Sequence, residues 1–354
     1  MDEVGILRDI VEAYSPSGQE ADAVQVFLGL AKGLGLDARS DGAGNAIARI
    51  GTGPPTVLFL GHIDTVEGEL PVRIVDGRMT GRGTCDAKGA LAAALVAASR
   101  YEGPGELSVI GAVGEERDSS GARYLIGRHR PDFLIVGEPS GWDAVTIGYR
   151  GTLNMVLTVD GNRTHLSAPE ETTVEHGLSV ANDLAEFCRE HQGKSPFASP
   201  TLKVHTIHTS RSGDREHVEI GLNVRVPPGL RTEEVLAFLG SHLKGAQPQV
   251  MDRSEAVEVD SRNEVVRALC TGIRDAGARP RLLRKLGTSD LNLAAPAWGC
   301  PAAAYGPGDS HLDHTDRESL DIRDFQRSIK ILRNAFARLT RGSPTATPST
   351  RNEV

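Results

Sequence analysis

The stretch Val57-Leu58-Phe59-Leu60-Gly61-His62-Ile63-Asp64 decides the fold. The apolar run Val57 to Gly61 reads as a strand buried on both faces, the kind found in a mainly parallel sheet covered by helices. His62 and Asp64 close it at alternate positions, so both side chains leave the sheet on one side. Further strand-like runs or turns each end in a carboxylate: Asp86, the pair Glu115-Glu116, and Glu138. A histidine-bearing segment follows late in the chain, Asp309-Ser310-His311-Leu312-Asp313-His314. In open α/β sheets ligands gather outside the carboxyl ends of the strands, which is where these groups fall. The simplest reading is a site for two divalent metal ions, and hence a hydrolase.

The bounding quantities agree. At 354 residues the chain exceeds what one hydrophobic core usually supports, so two domains are expected. Hydrophobic residues make up 39% and charged residues 24%, and no apolar run approaches the length of a membrane span, which predicts a soluble protein with no membrane partner. Residues 1–20 carry acidic groups where a secretory leader needs a basic and then an apolar region, so the expected place is the cytoplasm. Cys85, Cys188, Cys270 and Cys300 are scattered, which favours reduced thiols over a disulfide framework. The net charge of -8 argues against nucleic acid as the partner.

Hydrophobic periodicity predicts helices over 2–14 and 20–33, strands near 45–50, 56–61, 106–113 and 132–136, and an alanine-rich crossover helix over 87–101. From Tyr149 the pattern becomes strand (151–159), helix (172–190), strands (201–209 and 217–226), helix (232–243) and strand (247–257). That order is ferredoxin-like and predicts an inserted α+β domain. The α/β pattern resumes with a helix (263–276), a strand (281–285), a loop-rich stretch (287–316) and a last helix (323–339). The expected division is 1–148 with 259–341 as catalytic domain and 149–258 as inserted domain. Residues 342–354 lack an apolar face and read as a flexible tail.

Within the constellation, His62 is the natural ligand and Asp64 its orienter through the other ring nitrogen. Asp86 lies in the glycine-rich turn Gly81 to Gly89, where one carboxylate can bridge two cations. Adjacent Glu115 and Glu116 need not share a role: one can hold metal while the other faces the substrate water. Each signal alone is commonplace, since a His-x-Asp after a strand is more often structural and paired glutamates are usually solvated. Their coincidence at successive strand ends and turns carries the argument.

The phrases Gly61-His62-Ile63-Asp64-Thr65, Gly83-Thr84-Cys85-Asp86-Ala87-Lys88-Gly89, Gly114-Glu115-Glu116, Gly137-Glu138-Pro139 and His314-Thr315-Asp316-Arg317-Glu318 together resemble the dinuclear zinc aminoacylase/carboxypeptidase family, peptidase clan M20. The resemblance covers nearly the whole chain. It implies a zinc-peptidase-like α/β catalytic domain with a mainly parallel sheet, plus a ferredoxin-like lid that also forms a homodimer. It implies two Zn²⁺ per chain, with Co²⁺ or Mn²⁺ as substitutes: His62, Asp86 and Glu138 at one ion, and Asp86, Glu116 and His314 at the other. His314 is preferred to His311 because the family places its histidine four residues before a glutamate, here Glu318. By the same resemblance Glu115 is the general base, His165 a lid histidine that donates to the scissile carbonyl, and Arg225 a grip on a substrate carboxylate.

Within the family the phrases Gly137-Glu138-Pro139-Ser140-Gly141-Trp142, Gly148-Tyr149-Arg150-Gly151 and Thr288-Ser289-Asp290-Leu291-Asn292 are most similar to one branch. Its members release lysine, and sometimes ornithine, from the C-terminal glutamate γ-carboxyl of a small acidic amino-group carrier protein (LysW-like) in lysine biosynthesis. A basic run fits that partner: residues 262–285 hold seven arginines or lysines against Glu264 and Asp275. The alternatives are an N-acetylornithine or N-acetyl-lysine deacetylase, a metal-dependent binding or regulatory protein, and a cysteine hydrolase using Cys85. The choice between lysine and ornithine turns on one methylene, worth only ~1–3 kcal/mol.

Overall fold

The structure is a computed structural model and describes residues 2–341, so the predicted tail at 342–354 lies outside the described residues. Two compact units form. One comprises the described residues up to Ile147, Val259–Leu283 and the described residues from Ala297; the other comprises Gly148–Glu258 and Arg284–Pro296.

The first unit is built on four parallel strands in the order Gly105–Ala112, Thr56–His62, Phe133–Gly137 and Ala302–Ala304. Antiparallel strands Ala46–Thr52 and Asp37–Ser40 extend one side, and Ala144–Tyr149 flanks the other. The sheet is therefore mixed, with a parallel core. Register aligns three strand ends: His62 lies beside Ala112, and Gly61 beside Gly137. The residues that follow those positions, namely 63–64, 113–116 and 138, emerge at one end of the sheet.

The helix Lys88–Ala98 is buried along its entire length. Its alanines and Gly89 let it pack against Ile322–Arg341, Glu3–Glu12 and the strands behind it, and a helix that is apolar all round belongs inside. At Gly89 a Cβ would come 2.3 Å from the Thr84 carbonyl oxygen, so only glycine lets the helix start this close to the turn that bears Asp86. A small antiparallel sheet, Ser319–Asp321 with Arg78–Thr80 and Arg73–Val75, brings the segment after His314 beside that same turn.

The second unit is a four-stranded antiparallel sheet in the order Thr201–Ser212, Arg215–Val226, Gly151–Asn162 and Gln247–Ser254, with helices Thr173–Glu190 and Thr232–His242. Leu153, Leu157, Leu184, Ile220, Leu222 and Leu239 fill its separate core. Sequence order and strand order together make it ferredoxin-like.

The span 149–258 read from the sequence omits Arg284–Pro296, which packs with this unit. Polar bonds explain why. The Arg150 guanidinium donates to the Leu286 carbonyl at 3.0 Å, the Asn292 amide donates to the carbonyls of Arg150 (3.1 Å) and Glu255 (2.8 Å), and Arg284 pairs with Glu258 at 2.7 Å. The stretch 287–316, read as loop, also contains the helix Leu291–Trp298 and the strand Ala302–Ala304. Among the described residues no helix is long and apolar enough to cross a membrane.

Candidate metal centre

Asp86 stands at the middle of the cluster. Its Oδ1 lies 3.2 Å from His62 Nε2 and its Oδ2 lies 3.2 Å from His314 Nε2, so each carboxylate oxygen faces a different imidazole. His314 Nε2 is also 2.9 Å from Glu116 Oε1. Two groups of donors that could each hold a cation result among the described residues: His62 with Glu115 and Glu116, and Asp86 with Glu116 and His314. His62, Asp86, Glu115, Glu116 and His314 are thus brought together from four distant parts of the chain. Glu138 ends the strand Phe133–Gly137 and is buried, but its carboxylate belongs to neither group. His311, the rejected alternative, is 93% exposed and bonds Asp309 beside it.

Asp64 does more than the sequence suggested. The closest partner of His62 Nδ1–H is the Asp64 backbone carbonyl at 2.9 Å; the Asp64 carboxylate is 3.6 Å away. The carboxylate instead accepts the backbone N–H of Glu115 (3.1 Å), the backbone N–H of Glu116 (3.1 Å) and the Ser17 hydroxyl (2.6 Å). A fully buried carboxylate thus fixes the main chain of both glutamates. Gly114, at φ 73°, supplies the left-handed turn that delivers them there after the strand ends.

A second buried device joins Asp86 to the His314 segment. Glu318 Oε1 accepts the backbone N–H groups of Cys85 (3.0 Å) and Asp86 (3.2 Å), while Oε2 accepts from Arg82 at 2.9 Å. Arg82 also donates to the carbonyls of Thr315 (3.0 Å) and Gly68 (2.9 Å). This ion pair, 8% and 1% exposed, ties the turn bearing Asp86 to the residue after His314. His314 itself has φ 61°, unusual for a non-glycine residue and found where surrounding structure overdetermines the backbone. Lys88 is fully buried and donates to the Ala13 carbonyl at 2.6 Å. Burial pulls its amine down to about 7, against the opposing fields of Asp64 and Glu318. In the sequence Glu318 is only a spacing mark, and nothing there singles out Ser17, Arg82 or Lys88, whose partners lie far along the chain.

Electrostatics mark the cluster as built for positive charge. Burial disfavours an ionised Asp86, yet hydrogen bonds from His314 and His62 hold its carboxyl well below the usual range. Burial likewise opposes a charged His62, but Asp64, Asp86 and Glu115 raise it well above an ordinary imidazole. Asp86 and Glu116 push His314 up to about 10. Two imidazoles and three carboxylates that draw cationic charge in this way fit divalent metal ions of the zinc, cobalt or manganese type. Cys85 does not suit a nucleophile: it is buried, its thiol donates to the Ser319 carbonyl at 3.2 Å, and burial pushes it up to about 12.

His165 and Arg225 belong to the second unit. His165 is exposed, and its Nδ1 is 2.7 Å from the Ser167 hydroxyl of its own turn. It lines a cavity of about 500 Å³ with Leu166, Glu170, Glu171 and Glu175 among its neighbours. Arg225 is half-buried and donates to the Thr288 hydroxyl at 3.3 Å.

Imidazoles and carboxylates gathered at the carboxyl ends of a parallel-cored sheet are the build of a metal-dependent hydrolase of the α/β type. The chain belongs to peptidase family M20/M25/M40, whose sequence profile matches residues 58–338. It is similar to the [LysW]-lysine hydrolase of Deinococcus radiodurans, 38% identical over 95% of this chain and 97% of that one. It is equally similar to a putative [LysW]-lysine/[LysW]-ornithine hydrolase of Thermococcus kodakarensis, 38% identical over 94% of this chain and 90% of that one. A solved tripeptidase from Staphylococcus aureus shares the fold, with a TM-score of 0.80 at 18% identity over 96% and 98% of the two chains.

Proposed function

We propose that this chain is a metal-dependent amide hydrolase. Its substrate is lysine or ornithine joined through an amino group to the C-terminal glutamate γ-carboxyl of a small LysW-like carrier protein. The observation that carries the reading is the placement of Asp86 between His62 and His314 in a chain akin, over nearly its full length, to [LysW]-lysine hydrolases.

His62, Asp86 and Glu138 would hold one ion, and Asp86, Glu116 and His314 the other; Zn²⁺ is proposed, with Co²⁺ or Mn²⁺ as substitutes. When bound, such ions supply Lewis-acid polarisation of the amide carbonyl and of the attacking water. Glu115 takes a proton from that water as its oxygen adds to the amide carbon. It then gives the proton to the amine as the C–N bond breaks. His165 donates to the developing oxyanion, and Arg225 receives the carboxylate of the released amino acid, for which its planar fork is suited. The enzyme is further proposed to work as a cytoplasmic homodimer.

The test is amino-acid release from LysW bearing γ-linked lysine or ornithine, compared with N-acetyl-lysine and N-acetylornithine, before and after chelation and with metal counted per chain. Chelator-sensitive release from the carrier supports the proposal. Deacetylation of the small molecules with no release from the carrier would replace it with the deacetylase reading. Tight metal and carrier binding without any turnover would leave a binding protein.

A further inference from the structure

Between the helices Glu3–Glu12 and Ala21–Gly33, the segment 13–18 runs beside the turn that carries His62 and Asp64. Pro16 pairs in parallel with Thr65. The Thr65 N–H donates to the Ser15 carbonyl at 2.9 Å, and the Ser17 N–H donates to the Thr65 carbonyl at 3.2 Å. The Ser15 hydroxyl donates to the Ile63 carbonyl at 2.7 Å. Main chain on both sides of Asp64 is therefore held by this segment, whose Ala13 carbonyl also accepts the buried Lys88 ammonium at 2.6 Å, two residues beyond Asp86. At its far end Gly18, with φ 93°, brings the segment against Arg117: a Cβ there would stand 3.0 Å from that guanidinium, in the residue after Glu116. From this segment one side chain reaches the Asp64 carboxylate. The half-buried Ser17 hydroxyl donates to Oδ2 at 2.6 Å, the length of a charge-assisted bond.

The terminal torsion of an aspartate is soft, so the plane of its carboxylate is set by its partners. Asp64 Oδ1 accepts the Glu115 N–H and Oδ2 the Glu116 N–H, two donors from one stretch of chain. Ser17 supplies a third donor from a stretch 47 residues away from Asp64, and three points fix a plane that two neighbouring ones leave free to rock. Asp64 is 0% exposed, so water does not readily replace a lost donor there. Resting on the reading of Glu115 as proton acceptor, we infer that Ser17 is a positioning residue of the hydrolytic reaction. Acting through Asp64, its hydroxyl holds the Glu115 main chain where the glutamate side chain meets the attacking water. A proton acceptor works only within hydrogen-bond reach of the proton it takes, so a small rotation of Asp64 is felt in the chemical step and not in substrate binding.

The experiment follows kcat and KM of Ser17→Ala, Ser17→Thr and Ser17→Cys on whichever of LysW-γ-lysine and N-acetyl-lysine the wild type cleaves, so loss of the carrier reading leaves it intact. In Ser17→Ala kcat is expected to fall about 10- to 100-fold, the scale of one hydrogen bond to a charged group, with KM within about twofold. Ser17→Thr keeps the hydroxyl and stays within about threefold of wild type, while the weaker thiol donor of Ser17→Cys gives an intermediate kcat. Metal content per chain and melting temperature stay near wild-type values, since the backbone bonds between 15–17 and 63–65 remain. In a Glu115→Gln background Ser17→Ala lowers the residual kcat by less than about threefold, because residues that act as a unit are not additive. An undiminished kcat in Ser17→Ala would overturn the inference, as would an equal loss in both backgrounds. Loss of metal or of melting temperature in step with kcat would overturn it too and leave Ser17 a structural brace. Should Ser17→Ala fail to fold, a wild-type kcat in Ser17→Cys would sink it. Full activity of Glu115→Gln alone fails earlier, removing the proposed base and this role together.

Discussion

At Asp64 a single carboxylate settles the positions of two others. Because it accepts the backbone N–H groups of both Glu115 and Glu116, the glutamate main chain is fixed while the side chains remain available for separate work. That separation makes a clean test of the proposed base possible. Glu115→Gln keeps volume and the backbone bond to Asp64 but removes proton acceptance. The variant is expected to lose about 10²–10⁴-fold in kcat, the usual contribution of a positioned acid or base. Its metal content and melting temperature should stay near wild type. Release of lysine at an undiminished rate would strip Glu115 of the role. The Arg82–Glu318 pair invites a stability measurement of a different kind. Glu318→Ala leaves a buried guanidinium and two backbone N–H groups without their acceptor, a change that costs about 3–5 kcal/mol in comparable buried pairs. A double-mutant cycle with Arg82→Met, followed by urea denaturation, should show strong coupling; simple additivity would mean the two side chains act independently.

Elements were legible where apolar runs were long. The strand Thr56–His62 and the helix Lys88–Ala98 follow from continuous apolar runs buried on every side, and the ferredoxin-like unit follows from alternating strand and helix patterns. Illegible elements were short and depended on distant partners. Ala302–Ala304 has no β-branched residue, yet it pairs in parallel with Phe133–Gly137, where small side chains suffice at the sheet centre. Leu291–Trp298 contains Pro296 and sits in a glycine- and proline-rich stretch, but Leu291 and Ala294 are fully buried and Asn292 anchors it. The same holds at the cluster: the ligand-type residues announced themselves at strand ends, whereas Ser17, Arg82 and the true task of Glu318 appear only once remote segments meet. Asn263 shows how one residue can link elements. Its side chain caps the helix Glu264–Asp275 by accepting the Val266 N–H at 3.0 Å, and it donates to the Ala302 carbonyl at 2.9 Å. Asn263→Ala should destabilise the protein by about 1–2 kcal/mol in denaturant titration, since the cap alone contributes about 1 kcal/mol. No measurable change would mean that solvent replaces both bonds at no cost.

On the scale of the molecule, two separate cores share one chain, and only the first unit contains the cluster. Asp86, Glu115 and Glu116 crowd negative charge into a small, largely buried volume, which bound divalent cations would neutralise. A ligand that binds the native state and not the unfolded chain stabilises by mass action, about 2.7 kcal/mol per site at a free concentration one hundred times Kd. Unfolding need not be a single transition when cores are separate. Calorimetry of metal-loaded and chelated protein is therefore expected to show a transition that falls on chelation and recovers on adding Zn²⁺, Co²⁺ or Mn²⁺. Hydrolysis should disappear and return in parallel. If the units melt separately, the metal-sensitive transition should be the one lowered further by Glu318→Ala, whose disrupted bonds belong to the same unit. Identical melting with and without chelator would mean that the acidic cluster needs no cation to hold its fold, and the two-ion reading of Asp86 would fall with it.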